Sequence, residues 1–362
     1  MITETRSIHK LAQAVTAGIE FGEPLDLRFG QCGIRIRTND HDVADRLRHY
    51  FRAFVESVDA PEYEIIAIQI APPDLSLRFE DWPRDPGKIG RKDLICDISG
   101  GRVVRKARTG MQFLVSADTK IAFGDCRTND NQVINFVISQ FMAWLRGQGW
   151  EICHAAGIVF GDMGIAISAA SGGGKSTLAL HMMSHGAKFV SNDRLLIAQC
   201  DGAARMAGVP KMPRVNPGTL LNNADLVGIL LEDRRRALKA LNREELWGLE
   251  EKYDVDVEEC FGKNRQVMEA QLSAFIVLNW DRTSDAPFCL RPVNLAERPD
   301  LLDPIMKPPG PFVLGTGGDV PRTVFDLDRN SYSHRLRGVK ILEATGVVDF
   351  DAACSAIINA DF

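Results

Sequence analysis

The spacing of hydrophobic and polar positions changes period several times along the chain, and each change marks an element. Residues 7–20 carry a short helical pattern, followed by two strand-like pieces at Leu25–Phe29 and Gly33–Arg37. A helix is predicted over His41–Val58. The run YEIIAIQIA at 63–71 alternates as a sheet strand does. Four prolines in PPDLSLRFEDWPRDPGKIG, residues 72–90, remove backbone donors and leave a loop. RVVRKART at 102–109 and MQFLVSADTKIAFGD at 111–125 read as antiparallel strands, so the first 130 residues suggest an α+β domain.

From Asn129 to Gly147 the period becomes helical, with Val133, Phe136, Val137, Phe141, Trp144 and Leu145 on one side. Asn129 or Asp130 is placed to cap its start, and Gly147 and Gly149 end it. Two β runs follow, Gly157–Phe160 and Gly164–Ser168, joined at Gly161-Asp162-Met163 as a hairpin. The domain boundary falls near 130 or 150. The division adopted is 1–130 for the α+β domain and 131–362 for a second domain with a helical C-terminal extension.

Composition narrows the class. A chain of 362 residues with 45% hydrophobic and 25% charged side chains suits two globular domains. A formal charge of -5 supplies no general attraction for nucleic acid or anionic membrane. The basic run DRRRALK at 233–239 has the spacing of a solvated helix face. No apolar run reaches membrane-spanning length, and Met1–Arg6 does not read as a signal peptide. Eight scattered cysteines with no C-x-x-C pair argue against a zinc ribbon or a disulfide framework and for free thiols. The expected setting is cytoplasmic.

Candidate chemistry begins where the hairpin ends. Ala169-Ala170-Ser171-Gly172-Gly173-Gly174-Lys175-Ser176 matches the G-x-x-x-x-G-K-[ST] phosphate loop except at its first glycine. Three glycines let backbone N–H groups turn toward phosphate oxygens, and Lys175 can reach the β- and γ-phosphates. Ser176 can ligate Mg²⁺, and the helix over Thr177–His185 aims its positive end at the anion. Ser171, Gly172, Gly173, Gly174, Lys175, Ser176 and Thr177 are therefore the expected nucleotide-binding residues, with ATP and Mg²⁺ as cofactors.

An acid to hold the metal has two candidates. AKFVSNDRLLI, 187–197, reads as two strands interrupted at Ser191-Asn192-Asp193, which places Asp193 at a strand end beside the loop. AFIVLNWDR, 274–282, is an apolar strand leading toward Asp281, but Asn279 and Trp280 intervene. Asp193 is favoured, with Ser176 and Asp193 as the expected metal ligands. His181 and His185 lie four apart on the loop helix, yet no third ligand accompanies them. Lys211 and Arg214 in KMPRVNPGT, and Lys263 and Arg265 in FGKNR, form two basic loops that suit either a transferring phosphoryl group or plain solvent exposure.

Taken together, His154 before the hairpin, Gly174-Lys175-Ser176, a helix ending in His185-Gly186, and a strand ending in Ser191-Asn192-Asp193 resemble HPr kinase/phosphorylase. GVPKMPRVNPGTLLNN (208–223) and LWGLEEKYDV (246–255) are closer still to the HPr kinase-related kinase B group. The resemblance spans about residues 150–280 and does not extend to the first 130. It implies an α/β P-loop kinase domain of the HPr kinase and phosphoenolpyruvate carboxykinase type, preceded by a smaller α+β domain. His154 matches that family's active-site histidine, Asp193 the second of two adjacent aspartates, and Arg214 the arginine of its signature. Asn192 replaces the first aspartate, the family's general base, and Met212 stands in place of a metal-binding glutamate. Base assistance would then fall to Asp193 or His154, or be dispensable.

The expected catalytic set is His154, Asp193, Lys175 and Arg214, transferring the γ-phosphoryl group to a hydroxyl, by analogy a serine of a protein. A small hydroxylated metabolite as acceptor, or a nucleotide-binding regulator that has lost transfer, are the alternatives. The resemblance also leaves room for a homo-oligomer.

Overall fold

The computed structural model describes residues 7–84, 89–314 and 320–360. The reading of Met1–Arg6, and residues 85–88 of the proline-rich loop, lie outside these. Two compact units divide the chain: Met1–Gln148 with Pro308–Leu327, and Gly149–Lys307 with Asp328–Phe362.

In the first unit, β1 (Leu25–Phe29), β2 (Cys32–Thr38), β3 (Tyr63–Gln69), β4 (Glu80–Asp81), β5 (Asp93–Ile98), β6 (Gly101–Lys106), β7 (Gln112–Val115) and β8 (Lys120–Gly124) form one sheet, ordered β1-β2-β3-β8-β7-β6-β5-β4. The strand over 93–98 was not anticipated, because its acids at 93 and 97 dilute the apolar run; it pairs antiparallel with β6. Helix α1 (Ile8–Thr16) starts at Ser7, whose hydroxyl accepts the Lys10 amide, and stops short of the predicted residue 20. Helix α2 (His41–Tyr50) is capped by Asp40 and also ends early. Phe51 turns into the core against Phe29, with ring centroids 5.6 Å apart, and a 3₁₀ turn follows.

Helix α3 (Asp130–Gly147) belongs to this unit, which moves the expected boundary from 130 to 148. The reason is its buried face: Phe136 packs on Phe113 at 5.1 Å, and Phe141 on Phe29 at 5.4 Å. Asn129 occupies the cap position without capping; its amide donates to the Asp125 carbonyl instead. Phe312 returns to complete the same aromatic core, 4.9 Å from Phe113 and 5.1 Å from Phe136.

The second unit contains β9 (Glu151–Cys153), β10 (Ala155–Phe160), β11 (Met163–Ala169), α4 (Lys175–Ser184), β12 (Lys188–Ser191), β13 (Leu195–Cys200), β14 (Ala203–Gly208), β15 (Arg214–Val215), α5 (Pro217–Leu221), α6 (Glu232–Lys239), α7 (Arg243–Gly248), β16 (Tyr253–Asp254), α8 (Val257–Phe261), β17 (Glu269–Leu278), β18 (Cys289–Pro292), α9 (Arg329–Arg335), β19 (Lys340–Thr345) and α10 (Phe350–Ile358). Its mixed sheet runs β12-β10-β11-β17-β14-β13-β9, with β19 beside β17 and β18 at the edge. The predicted hairpin is β10–β11, and β11 lies parallel to β17, which lies parallel to β19. The C-terminal segment is thus not simply a helical extension. It supplies a sheet strand, and α10 buries Ala353, Cys354 and Ile357 in the same core as Leu178, Met182 and Ile276. Among the described residues, no helix is long and apolar enough to cross a membrane.

Candidate functional site

Strand β11 enters the loop from the middle of the sheet, with Ile165, Ala166, Ile167 and Ala169 all buried. Gly172 and Gly174 take φ values of 78° and 94°, a region in which L side chains are strained, so the turn depends on glycine. The Gly173 amide donates to the Ala170 carbonyl at 2.9 Å and tightens the turn. Helix α4 begins at Lys175, and no side chain caps it. Its first N–H groups and its dipole are therefore available to an anion. The Thr177 hydroxyl lies 2.8 Å from that of Thr219 on α5, so this side chain is engaged within the protein.

From the opposite side, β17 ends against the loop. Trp280 Nε1 donates to the Gly173 carbonyl at 2.8 Å, and Arg282 Nη2 donates to the Gly172 carbonyl at 3.2 Å. Asp281, between them, bonds within its own turn: one carboxylate oxygen accepts both the amide and the hydroxyl of Thr283, each at 2.8 Å. These bonds hold its carboxyl below the usual range.

Asp193 has a different setting. Between β12 and β13 it adopts φ 66°, a left-handed conformation that Asp tolerates at a modest cost. Ser191 supports the turn, accepting the Val209 amide at 3.1 Å and donating to the Arg194 carbonyl. The Asp193 carboxylate then meets His154 Nε2 at 3.2 Å, Lys175 Nζ at 3.3 Å and Lys307 Nζ at 3.9 Å. Burial pushes this carboxyl up, but the His154 hydrogen bond and the charges of Lys307 and Lys175 outweigh it and hold it far below the ordinary range. Burial likewise pulls His154 down, with Lys175 and Lys307 adding to the effect. The hydrogen bond and charge of Asp193 oppose the shift, and the bond itself requires a proton on Nε2. The backbone of His154 is fixed as well, its amide donating to the Ile305 carbonyl and its own carbonyl accepting the buried Ser168 hydroxyl.

Asn192, one residue earlier, is buried and its carbonyl oxygen accepts the Ser176 hydroxyl at 2.6 Å. A residue noted in the sequence as a missing carboxylate therefore orients the serine. With its proton directed at Asn192, the Ser176 oxygen retains lone pairs for a hard cation. Among the described residues, no group of three or more His, Cys, Asp or Glu side chains gathers into an all-protein metal cage. The donors present suit a cation that takes its remaining ligands from phosphate and water.

Cations surround the Asp193 carboxylate beyond what the motifs indicated. Lys211 is drawn down to about 8 by burial and by Arg194 and Arg214, while Asp193 and Asp254 oppose the shift. Lys252 is lowered by burial and by Lys175 and Arg214, against Glu250 and Asp193. Arg214 lies on the β15–β16 ribbon and pairs with Asp254 at 2.9 Å, so the structure ties it to an acid without placing it on the loop. Lys307 lies outside every sequence motif, and Lys252 falls within LWGLEEKYDV at a position whose spacing indicates no role; chain folding brings both here. The other basic loop is structural in part, since Arg265 donates to the carbonyls of Met183, Ala187 and Phe261 near the end of α4. His181 stacks on Phe350 at 5.5 Å, consistent with a packing role.

No family model and no curated protein matches the chain. Among solved structures, the Hpr(Ser) kinase/phosphatase from Coxiella burnetii is similar at 13% identity and a TM-score of 0.29, over 58% of this chain and 89% of that one. So slight a likeness leaves the chemistry to be read from this chain's own side chains.

Proposed function

We propose that this protein is an ATP- and Mg²⁺-dependent kinase that transfers the γ-phosphoryl group to a hydroxyl. The observation that carries this reading is the convergence of Lys175, His154 and Lys307 on the Asp193 carboxylate at the mouth of a phosphate loop. In a chain of net charge -5, this concentration of cations suits a polyphosphate. The loop amides and Lys175 would hold the phosphates, and Ser176 with Asp193 would hold Mg²⁺. The metal supplies neutralisation of charge on the phosphate oxygens.

A carboxylate held so far below its ordinary pKa is a weak base, and a histidine whose Nε2 proton bonds to it is no better placed at that nitrogen. Rate acceleration would then come from positioning and charge, which suits phosphoryl transfer through a loose transition state. The motif resemblance to HPr kinase suggests a protein serine as acceptor, with Arg214 and Lys211 near the transferring group.

The test is transfer of label from γ-³²P-ATP into desalted and undesalted cell extract, with Lys175→Ala and Asp193→Ala proteins as blanks. A labelled protein band lost with both variants supports a protein kinase. Label confined to small molecules moves the acceptor to a metabolite. ATP binding with no transfer in either extract would overturn the kinase reading.

A further inference from the structure

We propose that Trp280 and Arg282 are positioning residues that hold the phosphate loop in its anion-receiving shape, and that Arg282 takes its own position from the Trp247 ring on α7. Peptide geometry links these contacts to anion binding. A trans peptide is planar, with its C=O and N–H pointing in opposite directions. By holding the Gly173 carbonyl, Trp280 turns the Gly174 N–H of that peptide to the other side. The preceding peptide is held at both ends: Arg282 binds the Gly172 carbonyl, and the Gly173 amide bonds to Ala170. Two successive peptides of a glycine-rich turn, each able to rotate at little steric cost, are thereby fixed.

The two donors are secured differently. The Trp280 ring is packed edge-on against Phe350 at 5.2 Å and lies 6.1 Å from Phe288, inside the unit. Arg282 is exposed, and an isolated exposed guanidinium would hold a single carbonyl only weakly. Its Cζ lies 4.2 Å from the centre of the Trp247 ring, which also carries Arg243 at 4.3 Å. A guanidinium can stack on indole through its flat face while its edge donates to a carbonyl; a lysine ammonium cannot do both. Trp247 belongs to the helical segment after β15, and Leu246 beside it lies within 3.8 Å of a Cβ built at Gly218 on α5. Within this segment, α7 meets the loop through Arg282, while α5 meets the loop helix through the Thr219–Thr177 hydroxyl pair.

The effect on nucleotide rests on the kinase reading above; the effect on loop order does not. In full-length protein without nucleotide, Arg282→Ala, Trp247→Ala and Trp280→Phe should each speed hydrogen exchange of the amides over 171–176 while melting close to wild type. The Arg282→Ala/Trp247→Ala double variant should exchange no faster than Arg282→Ala. Unchanged exchange in the single variants, or additive effects in the double, would overturn the inference. By calorimetry, Arg282→Ala should weaken ATP and inorganic tripolyphosphate alike, by about tenfold, the scale of one hydrogen bond from a charged donor. Arg282→Lys should fall between Arg282→Ala and wild type. Loss confined to ATP would assign the Arg282–Trp247 pair to the base and overturn the positioning role. Wild-type protein that binds neither ligand would remove the kinase reading, while the exchange result would still decide the inference.

Discussion

Two strand ends flank the phosphate loop, and each carries an aspartate. At the break between β12 and β13, a left-handed residue aims Asp193 at Lys175, His154 and Lys307. At the end of β17, Asp281 bonds to Thr283 while its neighbours Trp280 and Arg282 hold the loop by its carbonyls. Both acids follow apolar runs, although Asp193 stands 18 residues after Lys175 and Asp281 stands 106 residues after it. What separates them is the local backbone, which delivers one carboxylate to a cluster of cations and spends the other on a turn. An apolar strand ending in an acid is therefore a weak guide to a metal ligand unless the turn beyond it is known.

The comparison is open to direct attack, beginning with its largest expected effect. Asp193→Asn should reduce phosphoryl transfer on the order of 10²–10³-fold, as loss of one preorganised charge does, whereas Asp281→Asn should change kcat by no more than about threefold. Equal losses, measured with γ-³²P-ATP, would erase the distinction between the two strand ends. A second break targets the point where the β17 end crowds the loop. A Cβ at Gly174 would lie 3.0 Å from Phe350 and 3.3 Å from Trp280, at φ 94°. Gly174→Ala should cost about 1–2 kcal/mol from the left-handed backbone and lower Tm by several degrees in a thermal scan.

Asn192→Ala removes the acceptor of the Ser176 hydroxyl and should weaken the dependence on Mg²⁺ about fivefold in a metal titration, the scale of one lost hydrogen bond. Asn192→Asp keeps an acceptor and should stay near wild type. The smallest effect is on stability against pH. His154 is lowered in the folded state, so the unfolded chain binds the extra proton and stability falls as pH drops below the ordinary histidine value of 6.5. Asp193 is also lowered, so its contribution is intact at that point and is lost only as pH drops below 3.8. Thermal unfolding between pH 7.5 and 5.5 should therefore decline more steeply for wild type than for His154→Gln.

Much of this region is legible in the chain. The β10–β11 hairpin, the glycine turn and the polar break at 191–193 follow from local patterns, because tight turns and strand alternation are short-range properties. The roles of Trp280 and Arg282 are not legible, since a side chain that binds backbone carbonyls leaves no spacing signature. Lys307 is equally hidden: its amide bonds to the Ile152 carbonyl, and that long-range contact brings it to Asp193. In the first unit, α3 looked like the start of the next domain because its apolar face does not say which sheet it covers. Phe312 follows three prolines and a glycine, a composition with neither strand nor helix period, yet it is buried among Phe113 and Phe136.

That last feature bears on how the protein is made. The strands of the first sheet and α3 leave the ribosome well before Phe312, which follows roughly 160 residues later, a delay of about 10–30 s at ordinary elongation rates. Throughout that interval the nascent chain presents Phe113 and Phe136 without the ring that completes their packing, while the Gly149–Lys307 stretch is still being synthesised. The first unit thus closes only after the whole Gly149–Lys307 stretch between its two segments has been translated.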